Sequence, residues 1–166
     1  MDVLSAGICT TRDGTAIDAF RVVDNDYEGE VPQVRIDEVA TKIQAILSGE
    51  TSVETLQTKR NQFEAAAAKG VSELKPRVVI DNDCSRSFTV IDVFAYDRPG
   101  LLYGLSRALH ELELSVVLAR IGTHLDQVVD VFYVTDMSGQ KIQWGEATDR
   151  IRSRLYEVVA EVEESN

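Results

Sequence analysis

The chain is poor in the residues that build covalent or metal-held scaffolds. Two cysteines, Cys9 and Cys84, and two histidines, His110 and His124, are spread over 166 residues. They share no CxxC spacing and form no Cys/His cluster, which argues against a disulfide framework and a structural zinc site and fits a reducing, cytoplasmic compartment. Cations are short as well: 17 Lys+Arg stand against 28 Asp+Glu, a formal net charge of −11. That field repels phosphate backbones and anionic lipid, so neither nucleic acid nor a membrane surface is an expected partner. No run approaches the roughly 18 apolar residues needed to cross a bilayer, and the opening MDVLSAGICT has no basic start leading into an apolar stretch. With 44% hydrophobic residues the chain can fold, but its length allows only one modest core or two very small ones.

What is present begins with an internal repeat. Ile8-Cys9-Thr10 matches Ile121-Gly122-Thr123, and Asp18-Ala19-Phe20-Arg21-Val22-Val23-Asp24 matches Asp130-Val131-Phe132-Tyr133-Val134-Thr135-Asp136. Each copy reads as two strands around a tight turn, Arg12-Asp13-Gly14 in the first and His124-Leu125-Asp126 in the second, followed by an amphipathic helix. The first helix carries Ile36, Val39, Ala40, Ile43, Ile46 and Leu47 on one stripe; the last carries Ile151, Leu155, Val158, Val159 and Val162.

The second copy has more in front of it. Residues 87–96 form a β-branched and aromatic run, followed by Asp97-Arg98-Pro99-Gly100 and then Leu101, Leu102, Leu105, Ala108, Leu109 and Leu112 at helical spacing. Strand, helix, strand, strand, helix is the order of a ferredoxin-like α+β sandwich. The fold class is therefore α+β with two ferredoxin-like units, the first lacking its opening strand and helix, the counterpart of residues 86–113. The expected division is 1–83 for the incomplete first unit, with a helical insertion or connector at about 48–75, and 84–166 for the second. Residues 51–69 read as a helix stopped by Gly70. Val78-Val79-Ile80 reads as the last strand of the first sheet, which leaves the second sheet with three strands or with an edge borrowed from its neighbour.

The loop Asp97-Arg98-Pro99-Gly100 is the candidate for chemistry. Proline biases Arg98 toward extended backbone, Gly100 permits a tight turn, and the helix that follows points unpaired N–H groups and a partial positive charge out of the loop. A carboxylate fits at that helix start, and Asp97 can receive an ammonium, so a zwitterionic amino acid matches the pattern. The tetrapeptide alone serves equally as a helix cap and turn.

In its surroundings the loop says more. The stretch from Phe88 through Asp92-Val93-Phe94-Ala95-Tyr96-Asp97-Arg98-Pro99-Gly100-Leu101-Leu102, continuing through Ala119-Arg120-Ile121-Gly122-Thr123 and Gln127 to Asp136, resembles an ACT domain. Within that superfamily the chain is most similar to the tandem C-terminal ACT region of the bacterial PII-protein uridylyltransferase/uridylyl-removing enzymes. The resemblance implies βαββαβ units, pairing of sheets or self-association, and binding of a regulatory amino acid, glutamine, that controls modification of PII in nitrogen regulation. It maps the ligand loop onto Asp97, Arg98, Pro99, Gly100, Leu101 and Leu102, with a facing edge from Ala119, Arg120, Ile121, Gly122 and Thr123. The family's nucleotidyltransferase and phosphohydrolase domains, which use divalent metal, have no counterpart here, so the chain alone is expected to catalyse nothing and to need no cofactor or metal. A stand-alone ACT-repeat protein acting as a dimerisation or interaction module is the alternative.

Other residues invite blander readings. Asp92 and Asp130 are mid-strand acids expected on a solvated sheet face, which Phe94 and Phe132 would share by parity. Ser106 and Cys84 have no adjacent base, so neither reads as a nucleophile. Trp144 is expected as a partly buried anchor between hairpin and helix.

Overall fold

The computed structural model describes residues 2–11, 13–53, 55, 75–98, 100–124 and 127–160. In these residues the chain divides into two units, one of residues 3–23 with 75–160 and one of residues 24–55. The first unit is built on a six-stranded sheet. Its strands are β1 (Asp2–Thr10), β2 (Ala16–Val23), β3 (Arg77–Asp81), β4 (Thr89–Tyr96), β5 (Leu114–His124) and β6 (Gln127–Asp136), arranged in the order β2-β1-β5-β6-β4-β3. Two helices, α2 (Leu101–Glu111) and α3 (Glu146–Ala160), belong to the same unit. The second unit carries α1 (Gln33–Leu47).

The strand-helix-strand-strand-helix order of the second repeat is β4-α2-β5-β6-α3, as the hydrophobic periods predict. Register decides which side chains meet. Antiparallel pairing sets Ile91 against Phe132 and Val93 against Asp130 in β4 and β6, and Ala119 against Phe132 in β5 and β6. These positions, with Ala6 of β1, Val78 and Ile80 of β3 and Val134 of β6, are buried with Leu101, Leu105, Ala108 and Leu109 of α2 and Ile151, Leu155, Val158 and Val159 of α3. Each fully buried Leu or Phe here contributes about 1.5–3 kcal/mol. The stripe on α2 buries 101, 105, 108 and 109, the i, i+4, i+7, i+8 spacing of a single helix face. The helices approach closely at Gly104, where a Cβ would lie 3.1 Å from the Val158 side chain.

The strand read as the end of the first sheet lies elsewhere. β3 pairs with β4, Val78 against Val93 and Ile80 against Ile91, and so supplies the fourth strand at the outer edge of the second repeat's sheet. A boundary at residue 83/84 would separate two hydrogen-bonded strands; the structure groups 77–83 with the second repeat. The physical reason is the alternation of β3, which buries Val78 and Ile80 beneath the same helices, and a polar clasp at its end. Asn82 donates to the Ile142 carbonyl (2.8 Å), the Thr89 hydroxyl donates to Asn82 (2.6 Å), and Ile142 N–H donates to the Thr89 hydroxyl (3.0 Å). Lys141 adds bonds to the carbonyls of Asn82 and Ser85. The two repeats also share one sheet, because β1 pairs with β5, its own counterpart in the repeat, from Ser5↔Gly122 to Cys9↔Leu118.

In the 24–55 unit the predicted helix forms but its stripe finds no core. α1 has no buried residue, and Ile36, Ile43 and Leu47 are exposed. Its order comes from charge: Arg35 pairs with buried Asp24 (2.7 Å) and with Glu38 (2.8 Å), and Lys42 pairs with Glu38 (2.6 Å). The guanidinium hydrogen bond holds the Asp24 carboxyl below its ordinary pKa. The helix expected at 51–69 lies outside the described residues apart from its first few positions. Trp144, expected as a half-buried anchor, is 57% exposed, because the turn at Gly145 before α3 takes it off the core.

Thr89→Val should destabilise the fold by about 1–3 kcal/mol in urea denaturation, since it leaves buried Asn82 and the Ile142 N–H unsatisfied at nearly constant volume. A change within a few tenths of a kcal/mol would show that the clasp does not hold β3.

Candidate functional site

The loop between β4 and α2 sits where a strand that buries its odd-numbered residues gives way to a helix. Gly100 occupies the N-cap position of α2 with φ 84°, in the left-handed region, and brings no side chain to cap the first turn. The turn closes through Leu101 N–H to the Arg98 carbonyl (3.2 Å) and Gly104 N–H to the Gly100 carbonyl (2.9 Å). A Cβ on Gly100 would meet nothing within 4 Å, so glycine is required by backbone conformation and not by space. Asp97 is exposed. Arg98 is half-buried and its guanidinium donates to the Val158 carbonyl in the last turn of α3, which satisfies one of the carbonyls a helix leaves open at its C-terminus.

The remaining predicted residues separate by strand parity. Leu101, Ala119 and Ile121 are buried in the core, and Leu102 packs against it half-exposed. Arg120, paired with Val131, is exposed on the opposite face. Gly122 is half-buried, and Thr123 pairs through its backbone with Val128. Pro99 lies outside the described residues.

A buried acid stands beside the 119–123 segment, off the solvated face expected for it. Asp130 is not on a solvated face: it is 1% exposed, on the helix-covered side. Asp92 and Asp130 lie on opposite faces, because β4 and β6 pair residues of opposite parity, 93 with 130 and 92 with 131. Phe132 accordingly goes to the core, while Phe94 stays half-exposed on the open face under Arg77, whose guanidinium carbon stands 4.1 Å from the ring centre. Burial pushes the Asp130 carboxyl up to about 6; the Gly122 N–H bond opposes that shift and the Asp97 carboxylate reinforces it. Gly122 N–H donates to Asp130 Oδ1 at 3.4 Å. Only pairing register, which composition and periodicity do not encode, could have assigned Asp130 to this face.

Two hollows on the described surface are lined by other residues than 97–102 and 119–123. One of about 170 Å³ lies on the open face between Lys75, Arg77, Phe94, Tyr96, Gln127 and Val129; the other, about 670 Å³, lies beside Glu113, Lys141, Arg150 and Ile151. Among the described residues no group of three or more acidic, His or Cys side chains could hold a metal, and no helix is long and apolar enough to cross a membrane. Desolvation, reinforced by the nearby Asp81, pushes the Cys84 thiol up, away from the thiolate a nucleophile needs.

A mixed α/β unit of antiparallel strands covered by two helices, with a glycine-capped loop after its first strand, defines an ACT-like fold, and the profile of the ACR9-like, ACT-like domain matches residues 77–162. The chain belongs to this ACT-like family. Among curated proteins it is similar to the bifunctional uridylyltransferase/uridylyl-removing enzyme of Azospirillum brasilense, 37% identical over 161 residues, and to that of Rhodospirillum rubrum, 31% identical over 161 residues. These alignments cover 96% and 97% of the chain and 17% of each relative. The chain therefore spans about a sixth of the length of the curated relatives it matches. No solved structure matches it.

Gly100→Ala should cost about 1–2 kcal/mol in chemical denaturation, the price of a left-handed backbone for a residue with a Cβ, and Gly100→Asn should recover part of that loss. An alanine variant as stable as the parent would mean that the loop relaxes out of this conformation at no cost.

Proposed function

We propose that the chain is an amino-acid-sensing regulatory module of a PII-protein uridylyltransferase/uridylyl-removing enzyme, binding glutamine at the loop after β4 to control uridylylation and deuridylylation of PII. The observation that carries this reading is the start of α2. Its first-turn N–H groups receive no side-chain cap from Gly100, they lie beside Asp97, and they belong to an ACT-like unit with uridylyltransferase/uridylyl-removing relatives.

The chemistry follows from the charges. The first-turn N–H groups and the helix dipole favour the effector's carboxylate, worth roughly 0.3–1 kcal/mol when exposed. Asp97 receives the ammonium. Arg98 ties the same loop to the end of α3 through the Val158 carbonyl, so a ligand that moves the loop biases the position of α3; a coupling of about 1–3 kcal/mol is enough for regulation. In this reading the chain supplies regulation and no catalysis, and its target is a nucleotidyltransferase acting on PII.

A second reading is favoured by a separate observation. β2 is an edge strand exposed on every residue, with Ile17 59% and Phe20 53% accessible. An apolar, unpaired edge is a template for another strand, which supports an association module whose partner is a second copy. Light scattering at high concentration separates the two: a monomer excludes the association module and leaves the sensor intact.

Titration calorimetry of the full chain with glutamine and a panel of other amino acids tests the sensor. Glutamine should bind, and Asp97→Ala should weaken it at least tenfold. No heat from any amino acid at millimolar concentration would reject the reading.

A further inference from the structure

The hollow on the open face of the sheet is opposite in sign to the chain as a whole. The formal net charge is −11, yet among the described residues the walls of this hollow include Lys75 and Arg77 and no acidic side chain. Antiparallel pairing builds it. Arg77 of β3 lies opposite Phe94 of β4, Phe94 opposite Val129 of β6, and Tyr96 opposite Gln127, so these side chains stand together on one face. That face is not the one the helices cover: Phe94 is half-buried and Val129 is 42% exposed.

Arg77 is placed to receive an anion. Its guanidinium carbon stands 4.1 Å from the centre of the Phe94 ring, a contact that restricts the group's motion without using its N–H donors in an ion pair. Among the described residues neither the Arg77 nor the Lys75 side chain has a hydrogen bond or an ion pair. The acid that feels Arg77 is Asp92: burial and the Asp81 carboxylate hold its carboxyl up while Arg77 pulls it down. Asp92 does not line the hollow.

Size and wall chemistry select the ligand. Hollows for drug-sized molecules run to about 300–1,000 Å³, so one of about 170 Å³ takes a short acid and not a nucleotide. Two cations without an acid favour two negative charges and reject an ammonium, which separates this hollow from the zwitterion site proposed at the 97–100 loop. Val129 and the Phe94 ring suit a hydrocarbon spacer better than a phosphate, whose oxygens all seek donors. The larger hollow offers no such selection: Glu113 and Asp136 line it together with Lys141 and Arg150, and Lys141 is committed to the carbonyls of Asn82 and Ser85. We infer that the open-face hollow binds a short organic dicarboxylate, one carboxylate held by Arg77 above Phe94 and the other by Lys75. The site goes beyond the sensor reading and does not depend on it.

Calorimetry of the full chain at low salt with glutarate, butyrate and inorganic phosphate tests the inference. Glutarate should bind, and butyrate, with a single carboxylate, and phosphate should each bind roughly tenfold more weakly. Arg77→Gln should weaken glutarate roughly tenfold, Arg77→Lys, which keeps the charge but loses the planar fork, by less, and Lys75→Gln by about threefold. Arg150→Gln, in the other hollow, should leave glutarate affinity unchanged, and added sodium chloride should lower it. Amide shifts of the labelled parent chain give a reading that needs no variant to fold: glutarate should perturb Arg77, Phe94 and Val129. The inference is overturned by no heat from glutarate at millimolar concentration, by butyrate or phosphate binding as tightly, by an affinity that neither Arg77 variant changes, or by perturbations that miss these three residues. Each of those results leaves glutamine sensing at the 97–100 loop intact, and failure of glutamine to bind leaves this site intact.

Discussion

The antiparallel register that sets Ile91 against Phe132 and Val93 against Asp130 is the constraint on which the rest of the sheet unit depends. A slip of one residue would turn the whole of β6 over, sending Phe132 and Val134 to solvent and Asp130 out of the core. The register holds because both strands place bulky apolar residues on one parity and because neighbours on either side agree with it. β3 continues the buried rows with Val78 and Ile80, β5 continues them with Ala119 and Ile121, and β1 extends them to Ala6. The helices then have a continuous apolar surface on which to lay Leu105, Leu109 and Leu155. The same register fixes the cost, since it commits one carboxylate to the interior.

Much of this was legible in the sequence, and the parts that were not share a cause. Local periodicity announced β4, α2, β5, β6 and α3, because those segments carry clean period-2 or period-3.6 patterns and turn residues at their ends. Pairing partners are non-local, and nothing in Val78-Val79-Ile80 says which sheet it joins. The strand went to the second repeat because Asn82 and Thr89 close a buried polar clasp onto the Ile142 backbone, a contact between residues about 60 positions apart. The loop at 97–100 was visible for the same reason as the strands: glycine in a left-handed N-cap is a local requirement. Asp130 was misplaced because its face depends on the partner strand. Trp144 was also misjudged, turned toward solvent, a direction that does not follow from the residue type.

The functional account joins two kinds of observation. The ACT-like family and the uridylyltransferase/uridylyl-removing relatives supply the class of regulator, while the loop and the helix start supply a chemistry that fits a zwitterion. Among the described residues, the apolar side chains of α1 and β2 are largely exposed, whereas those of the second repeat's strands and helices form the buried core. In the proposed reading the ligand is held by the second repeat, where Arg98 connects the loop directly to α3.

The central claim is the location of the effector site at the start of α2, with its facing edge on β5. Mapping amide chemical shifts of the isotopically labelled chain on addition of glutamine tests it most directly. The account predicts perturbations that converge on Asp97, Gly100, Leu101, Ile121 and Gly122. Shifts confined to the hollow around Arg77, Phe94 and Gln127, or to the groove beside Lys141 and Arg150, would contradict it.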